Sequence, residues 1–195
     1  MSRNAWITSI LVLLIAVAAG LVWWQMSLRA PAPTPGTVAT APDADAGTVA
    51  DDLPTIDAEL YFPGVGAMAL YAERRELPDA GGEAFVRALV DGLIAGPEGG
   101  SLVAPLPDGV TLGAVFVSGD TAILDLRTPD SSPPPSMGSA REMLAVYSLV
   151  DTIVLGIDGI ERVALLWNGR QQPTFAGHVD TTRPLVADRA LLATR

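Results

Sequence analysis

The chain has 195 residues, a formal net charge of −10, and neither cysteine nor lysine. Without cysteine there are no disulfides, thiolate nucleophiles or cysteine-linked lipid anchors, and without lysine there is no Schiff-base or P-loop chemistry. The acidic balance repels phosphate backbones, so the composition argues against a nucleic-acid-binding protein.

Residues 1–29 contain an uncharged apolar run from Trp6 to Trp24. As a helix this run would extend roughly 28 Å, about the thickness of one hydrocarbon core. A tryptophan at each end is typical of an interfacial aromatic belt. We therefore predict a single-pass anchor in the cell membrane, with Arg3 favouring a cytoplasmic N-terminus and an extracytoplasmic body. A cleaved signal peptide, with Ala16-Val17-Ala18 as its small-residue site, is the alternative.

Residues 30–55 are rich in proline, alanine, threonine and aspartate and contain few large apolar side chains. Such a segment buries too little surface to offset its chain entropy, so we predict a disordered linker. Its acidic stretch, Asp43 to Asp52, lacks the ordered spacing of a calcium-binding loop, which favours a solvated tether. The folded domain is then expected to span residues 56–195.

The first half of this domain predicts two strands and a helix. Apolar and polar residues alternate from Ile56 to Phe62, and a second strand is predicted from Ala67 to Arg74 after a Pro-Gly turn. The spacing then changes to i, i+3, i+4, which is typical of an amphipathic helix and ends at Gly96-Pro97. The predicted buried stripe of this helix consists of Phe85, Val86, Leu89, Val90 and Leu93.

The second half predicts a hairpin around Ser118-Gly119-Asp120, a proline-rich loop and a second helix. Ser139 and Glu142 have the spacing of a capping box at the start of that helix. Its predicted buried face consists of Met143, Leu144, Tyr147, Val150 and Val154.

The strand that follows, "ERVALLW", is apolar on both faces, which indicates a central position, and Asn168-Gly169 predicts a tight turn after it. The element order β-β-α-β-β-α-β, with an optional last strand, predicts an α+β domain. We expect one small mixed or antiparallel sheet of four to six strands, with both helices on one face.

Few residues suggest chemistry. His178, with Asp180 two positions later, lacks a nucleophile-elbow motif and lacks further metal ligands, so we predict that both side chains hydrogen-bond the backbone of a turn. Asp120 and Asp125 flank a strand and point to opposite faces, which argues against an acid–base pair. Asp120 is assigned to the turn, and Asp125 is expected to cap or orient the following loop. The sequence therefore predicts no catalytic, cofactor-binding or metal-binding residues.

Six segments in this order resemble the GerMN domain of bacterial sporulation and spore-germination proteins: "ELYFP", "LIAGP", "PLPDGVTLGAVFVSGDTAILDL", "GSAREMLAVYSLVDTIV", "GIERVALLWNG" and "AGHVDTTRPL". The resemblance runs from about Glu59 to Leu185. It implies a non-catalytic, membrane-tethered extracytoplasmic domain, similar in fold to the ring-building motifs of secretion systems. It assigns no catalytic residues, and it makes Gly177-His178 a structural landmark. The proline-laden segment "RTPDSSPPPSM" and the missing lipoprotein cysteine depart from the family pattern.

Three functional hypotheses follow. The first is an envelope-anchored interaction module that assembles a complex with an envelope partner or with itself. The second is a binding module for cell-wall glycan or peptide, which the reach of the linker would allow. The third, a hydrolase using His178, is disfavoured because no nucleophile motif accompanies the histidine.

Overall fold

The computed structural model describes residues 54–193, so the predicted anchor and nearly all of the predicted linker lie outside the described residues. The described part contains six strands and two long helices, with single 3₁₀ turns at Pro129–Ser131 and Arg189–Leu191. In chain order these are β1 (Thr55–Pro63), β2 (Leu70–Pro78), α1 (Gly82–Ala95), β3 (Thr111–Ser118), β4 (Thr121–Arg127), α2 (Ser139–Gly156), β5 (Arg162–Trp167) and β6 (Arg170–Gln171). None of the helices between residues 54 and 193 has the length and apolar character needed to cross a bilayer.

The α+β class is confirmed, but the strands form two sheets, so the predicted single sheet is wrong. Strands β1 and β2 pair antiparallel as a separate hairpin, and the second sheet has the order β3-β4-β5-β6 with β4 and β5 parallel. At Tyr61, β1 meets a helix instead of a third strand: the backbone N–H of Tyr61 donates to Thr152 Oγ1 of α2 at 3.0 Å. A helix side chain thus accepts a hydrogen bond that another strand would otherwise accept, and periodicity cannot show this.

Helix α1 confirms the predicted stripe, because all five predicted residues are buried. Gly96 ends the helix with φ of 86°, a left-handed conformation that glycine adopts without strain. Arg75 of β2 then fixes this helix end. Its guanidinium donates to the carbonyls of Gly92 (3.2 Å) and Gly96 (2.6 Å) and pairs with Glu73 at 2.6 Å.

Strand β5 lies between β4 and β6, which confirms its predicted central position. Its three inward residues, Val163, Leu165 and Trp167, are buried. The predicted turn is also present, since Asn168 and Gly169 have φ of 51° and 74°. Beyond β6, Leu185 exchanges two backbone hydrogen bonds of 2.8 Å with Val163, so the C-terminal segment returns to the sheet.

Helix α2 departs from its prediction at two points. Gly138 is the N-cap and no side chain caps the helix, so the predicted Ser139–Glu142 capping box is wrong. The predicted face is incomplete as well: Met143, Tyr147 and Val154 are only half-buried. The helix contacts β1 of the hairpin and β5 of the larger sheet, and it is therefore buried on more than one side. The fully or nearly buried residues are Glu142, Leu144, Ala145, Val146, Ser148, Leu149, Val150, Asp151, Thr152 and Ile153.

The contact between β1 and α2 yields a test of the two-sheet arrangement. Replacing Thr152 by valine keeps the side-chain shape but leaves the N–H of Tyr61 without its acceptor. We expect a loss of about 1–2 kcal/mol in the free energy of unfolding, measured by urea denaturation of the full chain in detergent, followed by circular dichroism. The matched control is Thr111→Val, an exposed threonine on β3. Equal stability of the two variants would contradict the contact.

Candidate functional site

The lone histidine belongs to a clasp between α2 and the C-terminal segment. Glu142, whose side chain is fully buried, accepts hydrogen bonds from the backbone N–H groups of Ala176 (2.8 Å), His178 (3.0 Å) and Val179 (2.8 Å). The same carboxylate lies 2.7 Å from Nδ1 of the half-exposed His178 ring. We call Glu142 and residues 176–179 the carboxylate clasp.

The clasp determines the protonation of Glu142. Burial by itself raises the pKa of this carboxyl, but the hydrogen bonds from Val179, Ala176 and His178 outweigh it and hold the pKa below its ordinary value. The carboxylate is therefore ionised and fully engaged as an acceptor. It joins segments 34–37 residues apart in the chain, and this arrangement is structural.

Asp180 accepts hydrogen bonds at Oδ1 from the backbone N–H and the hydroxyl of Thr182, at 2.8 and 2.7 Å. The predicted turn hydrogen bond is therefore present for Asp180. The ring of His178 instead contacts the carboxylate of Glu142 in α2, which was not predicted. The two side chains do not act on a common atom in the described contacts.

Asp120 and Asp125 are likewise used by the fold. Asp120 lies in the β3–β4 turn, as predicted, and pairs with Arg162 at 2.8 Å. Asp125 is almost fully buried and accepts from the N–H of Gly169 at 2.6 Å, while its other oxygen pairs with Arg127 at 2.8 Å. Asp125 was expected to orient the loop after β4, and it instead holds the β5–β6 turn.

A third buried carboxylate, Asp151 of α2, is less completely satisfied. Its Oδ1 accepts from the N–H of Asp188 at 2.9 Å, and its buried Oδ2 has no partner among residues 54–193. Burial, reinforced by the nearby charge of Asp188, raises the pKa of Asp151 to about 6, although the Asp188 N–H and Arg189 act in the opposite direction. The ionised form of Asp151 is thus poorly solvated, and its ionisation opposes the folded state.

Metal binding finds no support in the described part of the chain, where no three histidine or acidic side chains converge. The surface of that part carries a groove of about 510 Å³ whose lining is mainly apolar.

We call this the apolar groove. It lies between the β1–β2 loop, the segment before β3 and the first turns of α2. Three apolar side chains in this region are unusually exposed, with Val65 at 64%, Met68 at 60% and Val103 at 41%. The residues that line the groove are Pro63, Gly64, Gly66, Ala67, Met68, Val103, Ala104, Pro105, Ala140, Arg141 and Leu144.

Backbone hydrogen bonds fix the walls of the apolar groove. Val65 N–H donates to the carbonyl of Ser101 at 3.0 Å, and Val103 N–H donates to the carbonyl of Pro63 at 2.9 Å. A Cβ on Gly64 would lie 2.6 Å from the ring of Tyr71, so a side chain at this position would have to displace that ring. The groove is therefore a preformed feature of the folded chain.

The fold defines a class of protein: an α+β domain with a helix between two sheets, whose buried acids serve the structure. The chain matches the Germane family model, described as "Sporulation and spore germination", over residues 59–173. It therefore belongs to this family, the GerMN-type domains, and the resemblance in the sequence is confirmed. No curated protein of known function is significantly similar to the chain.

Solved structures share the fold. A crystal structure of a candidate lipoprotein from Clostridium perfringens is 27% identical with a TM-score of 0.50, and the match covers 71% of this chain and 93% of that one. The tandem GerMN domains of the sporulation protein GerM from Bacillus subtilis match with 22% identity and a TM-score of 0.56, over 68% of this chain and 46% of theirs. The first GerMN domain of GerM from Bacillus subtilis, solved alone, is 20% identical with a TM-score of 0.51. The match covers 70% of this chain and 99% of that domain.

The sequence missed two parts of this description. Glu142 was assigned to its own helix end because a capping box is a local pattern, whereas its partners lie in a distant segment. The apolar groove was missed because Val65 and Val103 lie outside the predicted strands and helices, and because Met68 was placed in the predicted second strand, which begins only at Leu70. The sequence signal that could have indicated the groove is an apolar residue next to glycine in a predicted turn.

Proposed function

We propose that the chain is a non-catalytic, membrane-anchored interaction domain on the extracytoplasmic side of the bacterial cell envelope. It assembles a protein complex there, with an envelope partner or with further copies of itself. The observation that carries this proposal is the apolar groove, since an apolar patch on a soluble domain favours an interaction site. The apolar run from Trp6 to Trp24 supports the anchor, and the candidate lipoprotein among similar structures supports a membrane-tethered location.

Two of the three buried carboxylates described above support a role without catalysis. Glu142 and Asp125 are each held by several hydrogen bonds, so neither is positioned to exchange a proton with a substrate. His178 is tied to Glu142 at 2.7 Å, and no serine or threonine hydroxyl within residues 54–193 contacts its ring. In a serine- or threonine-type hydrolase site, the histidine lies within hydrogen-bond reach of such a hydroxyl.

Protease accessibility and crosslinking test the proposal together. Protease added outside intact spheroplasts is expected to digest the domain. A cytoplasmic control protein in the same unlysed spheroplasts is expected to stay intact. The full chain is expected in the membrane fraction, and chemical crosslinking in that membrane is expected to give products larger than the monomer. A protected domain would refute the orientation. A strict monomer without crosslinked products would refute the interaction role.

The cell-wall alternative has its own readout. Tyr71 and Phe116 are aromatic side chains exposed at 41% and 53%, and exposed rings are what sugar stacking requires. Co-sedimentation of the full chain with purified peptidoglycan distinguishes the two functions. If the interaction proposal is right, the chain stays in the supernatant. Retention that is lost on replacing either ring by alanine would favour wall binding instead.

A further inference from the structure

We infer that the apolar groove binds a polypeptide segment of a partner protein in which a large apolar side chain lies next to a carboxylate. The apolar side chain fills the groove, and the carboxylate pairs with Arg141 at its rim. This inference rests on the proposed interaction role and adds the surface and the chemistry of the partner to it.

The size and lining of the groove fit a side chain or two of a peptide. Its volume of about 510 Å³ falls within the roughly 300–1,000 Å³ of typical ligand clefts. Apolar groups predominate on its walls, with Met68 exposed on one side and Leu144 of α2 on another. Methionine adapts its shape to different apolar partners, which suits recognition of a peptide side chain.

Arg141 gives the groove a preference for a carboxylate. It is the one charged residue among those that line the groove, and it is exposed. Within residues 54–193 its guanidinium forms no hydrogen bond or ion pair, although arginine is well shaped for bidentate pairing with a carboxylate. It also lies in the first turn of α2, where the positive end of the helix dipole favours an anion.

Charge also argues for a peptide of a partner over the other occupants. An anionic membrane surface attracts clusters of basic residues, whereas this groove has a single arginine on a chain with a net charge of −10. A second copy of the chain carries the same net charge, which opposes self-association. A short apolar segment of another protein with one carboxylate brings a single negative charge, which Arg141 can pair with, instead of a further net charge of −10.

The groove needs little ordering before it binds. Its two loop walls are joined by the hydrogen bonds from Val65 to Ser101 and from Val103 to Pro63. A preformed surface loses less conformational entropy on association than a flexible one, so a short segment can bind with useful affinity.

Site-specific photocrosslinking in native membranes tests the inference. A photoreactive phenylalanine analogue replaces Met68 in the full chain, and a control chain carries it at Phe116, an exposed apolar position on β3. The crosslinked partner peptide is identified by mass spectrometry. Each chain is also prepared with Arg141→Gln and with Arg170→Gln, a matched exposed arginine on β6.

The expected adduct from position 68 lies in an envelope protein, within a few residues of a large apolar side chain and an aspartate or glutamate. Its yield is expected to fall about fivefold with Arg141→Gln, as for a partly exposed ion pair, and to stay unchanged with Arg170→Gln. Exchanging the charges, with Arg141→Glu in this chain and arginine for the partner's acid, is expected to restore the yield.

Other outcomes overturn the inference in distinguishable ways. An adduct with a second copy or with lipid would show a different occupant of the groove. A crosslinking yield that does not change with Arg141→Gln would exclude pairing between Arg141 and a carboxylate of the partner. Adducts from position 116 without adducts from position 68 would leave the interaction role standing and end the role of the groove. If neither position gives adducts and chemical crosslinking gives no products, the proposed function fails too.

Discussion

Replacing Glu142 by alanine is expected to destabilise the domain by about 3–5 kcal/mol, because three partly buried N–H groups lose a charged acceptor and a buried side chain is removed. These donors belong to Ala176, His178 and Val179, and Glu142 accepts from all three. A loss of this size is a large fraction of the 5–15 kcal/mol by which domains are typically stable. Urea denaturation of the full chain in detergent measures it.

Two further variants separate the parts of the clasp. His178→Ala removes the ring contact but keeps the backbone donors, so we expect a loss of only about 1 kcal/mol. Glu161→Gln is the control, since Glu161 is an exposed carboxylate with one 4.0 Å ion pair. Similar losses of unfolding free energy for Glu142→Ala and His178→Ala would show that the clasp is stabilised by the ring contact and not by the backbone hydrogen bonds.

The clasp also predicts the direction of its pH dependence. The pKa of Glu142 is lowered in the folded state, so the stability it provides is complete above the unfolded pKa of about 4.3. That stability is lost as the pH falls towards the lower folded pKa. Acid should therefore release the C-terminal segment from α2, an event visible as a loss of protection of the Val179 amide in hydrogen exchange.

Replacing Asp151 by asparagine is expected to stabilise the domain increasingly as the pH rises. The folded pKa of about 6 lies above the ordinary value of 3.8, so the carboxyl favours the folded state when protonated and opposes it when ionised. This shift predicts that the stability difference between Asp151→Asn and the parent widens by about 2 kcal/mol between pH 4 and pH 8. Asparagine retains an oxygen for the N–H of Asp188.

The charged neighbours of Asp151 have to be accounted for in this measurement. Asp188 and Arg189 both act on its pKa, and Tyr61 and Tyr147 have raised pKa values, mainly from burial and partly from nearby carboxylates including Asp151. The control is Asp91→Asn, an exposed aspartate of α1, which should follow the parent at every pH. If the difference in unfolding free energy between Asp151→Asn and the parent stays constant from pH 4 to pH 8, the destabilising effect of the buried Asp151 charge is refuted.

Local pattern was a reliable guide where one face of an element decides its packing. The buried stripe of α1, the β3–β4 hairpin and the Asn168-Gly169 turn are all of this kind, and they agree with the structure. Each depends on residues within a few positions of one another, which is the range that periodicity and turn chemistry cover.

The failures arise where distant segments compete for the same residue. Glu142 had a local partner available in its own first turn and instead serves a segment more than thirty residues away. The burial of α2 on several sides, and the separation of the strands into two sheets, likewise depend on where β1 packs. The apolar groove depends on three loops or turns meeting, and no single stretch of sequence encodes that meeting.

The return of the C-terminal segment extends the cooperative unit past the end of the family match at residue 173. Phe175 is fully buried against Trp167 with ring centres 5.0 Å apart, Leu185 completes the hydrogen bonding of Val163, and Ala193 donates to the carbonyl of Leu70 at 2.8 Å. A recombinant fragment that ends with the family match at residue 173 would expose the indole of Trp167 to water and leave the carboxylate of Glu142 without its hydrogen-bond donors. The shortest piece of this chain worth expressing for binding or crystallisation therefore ends no earlier than Ala193.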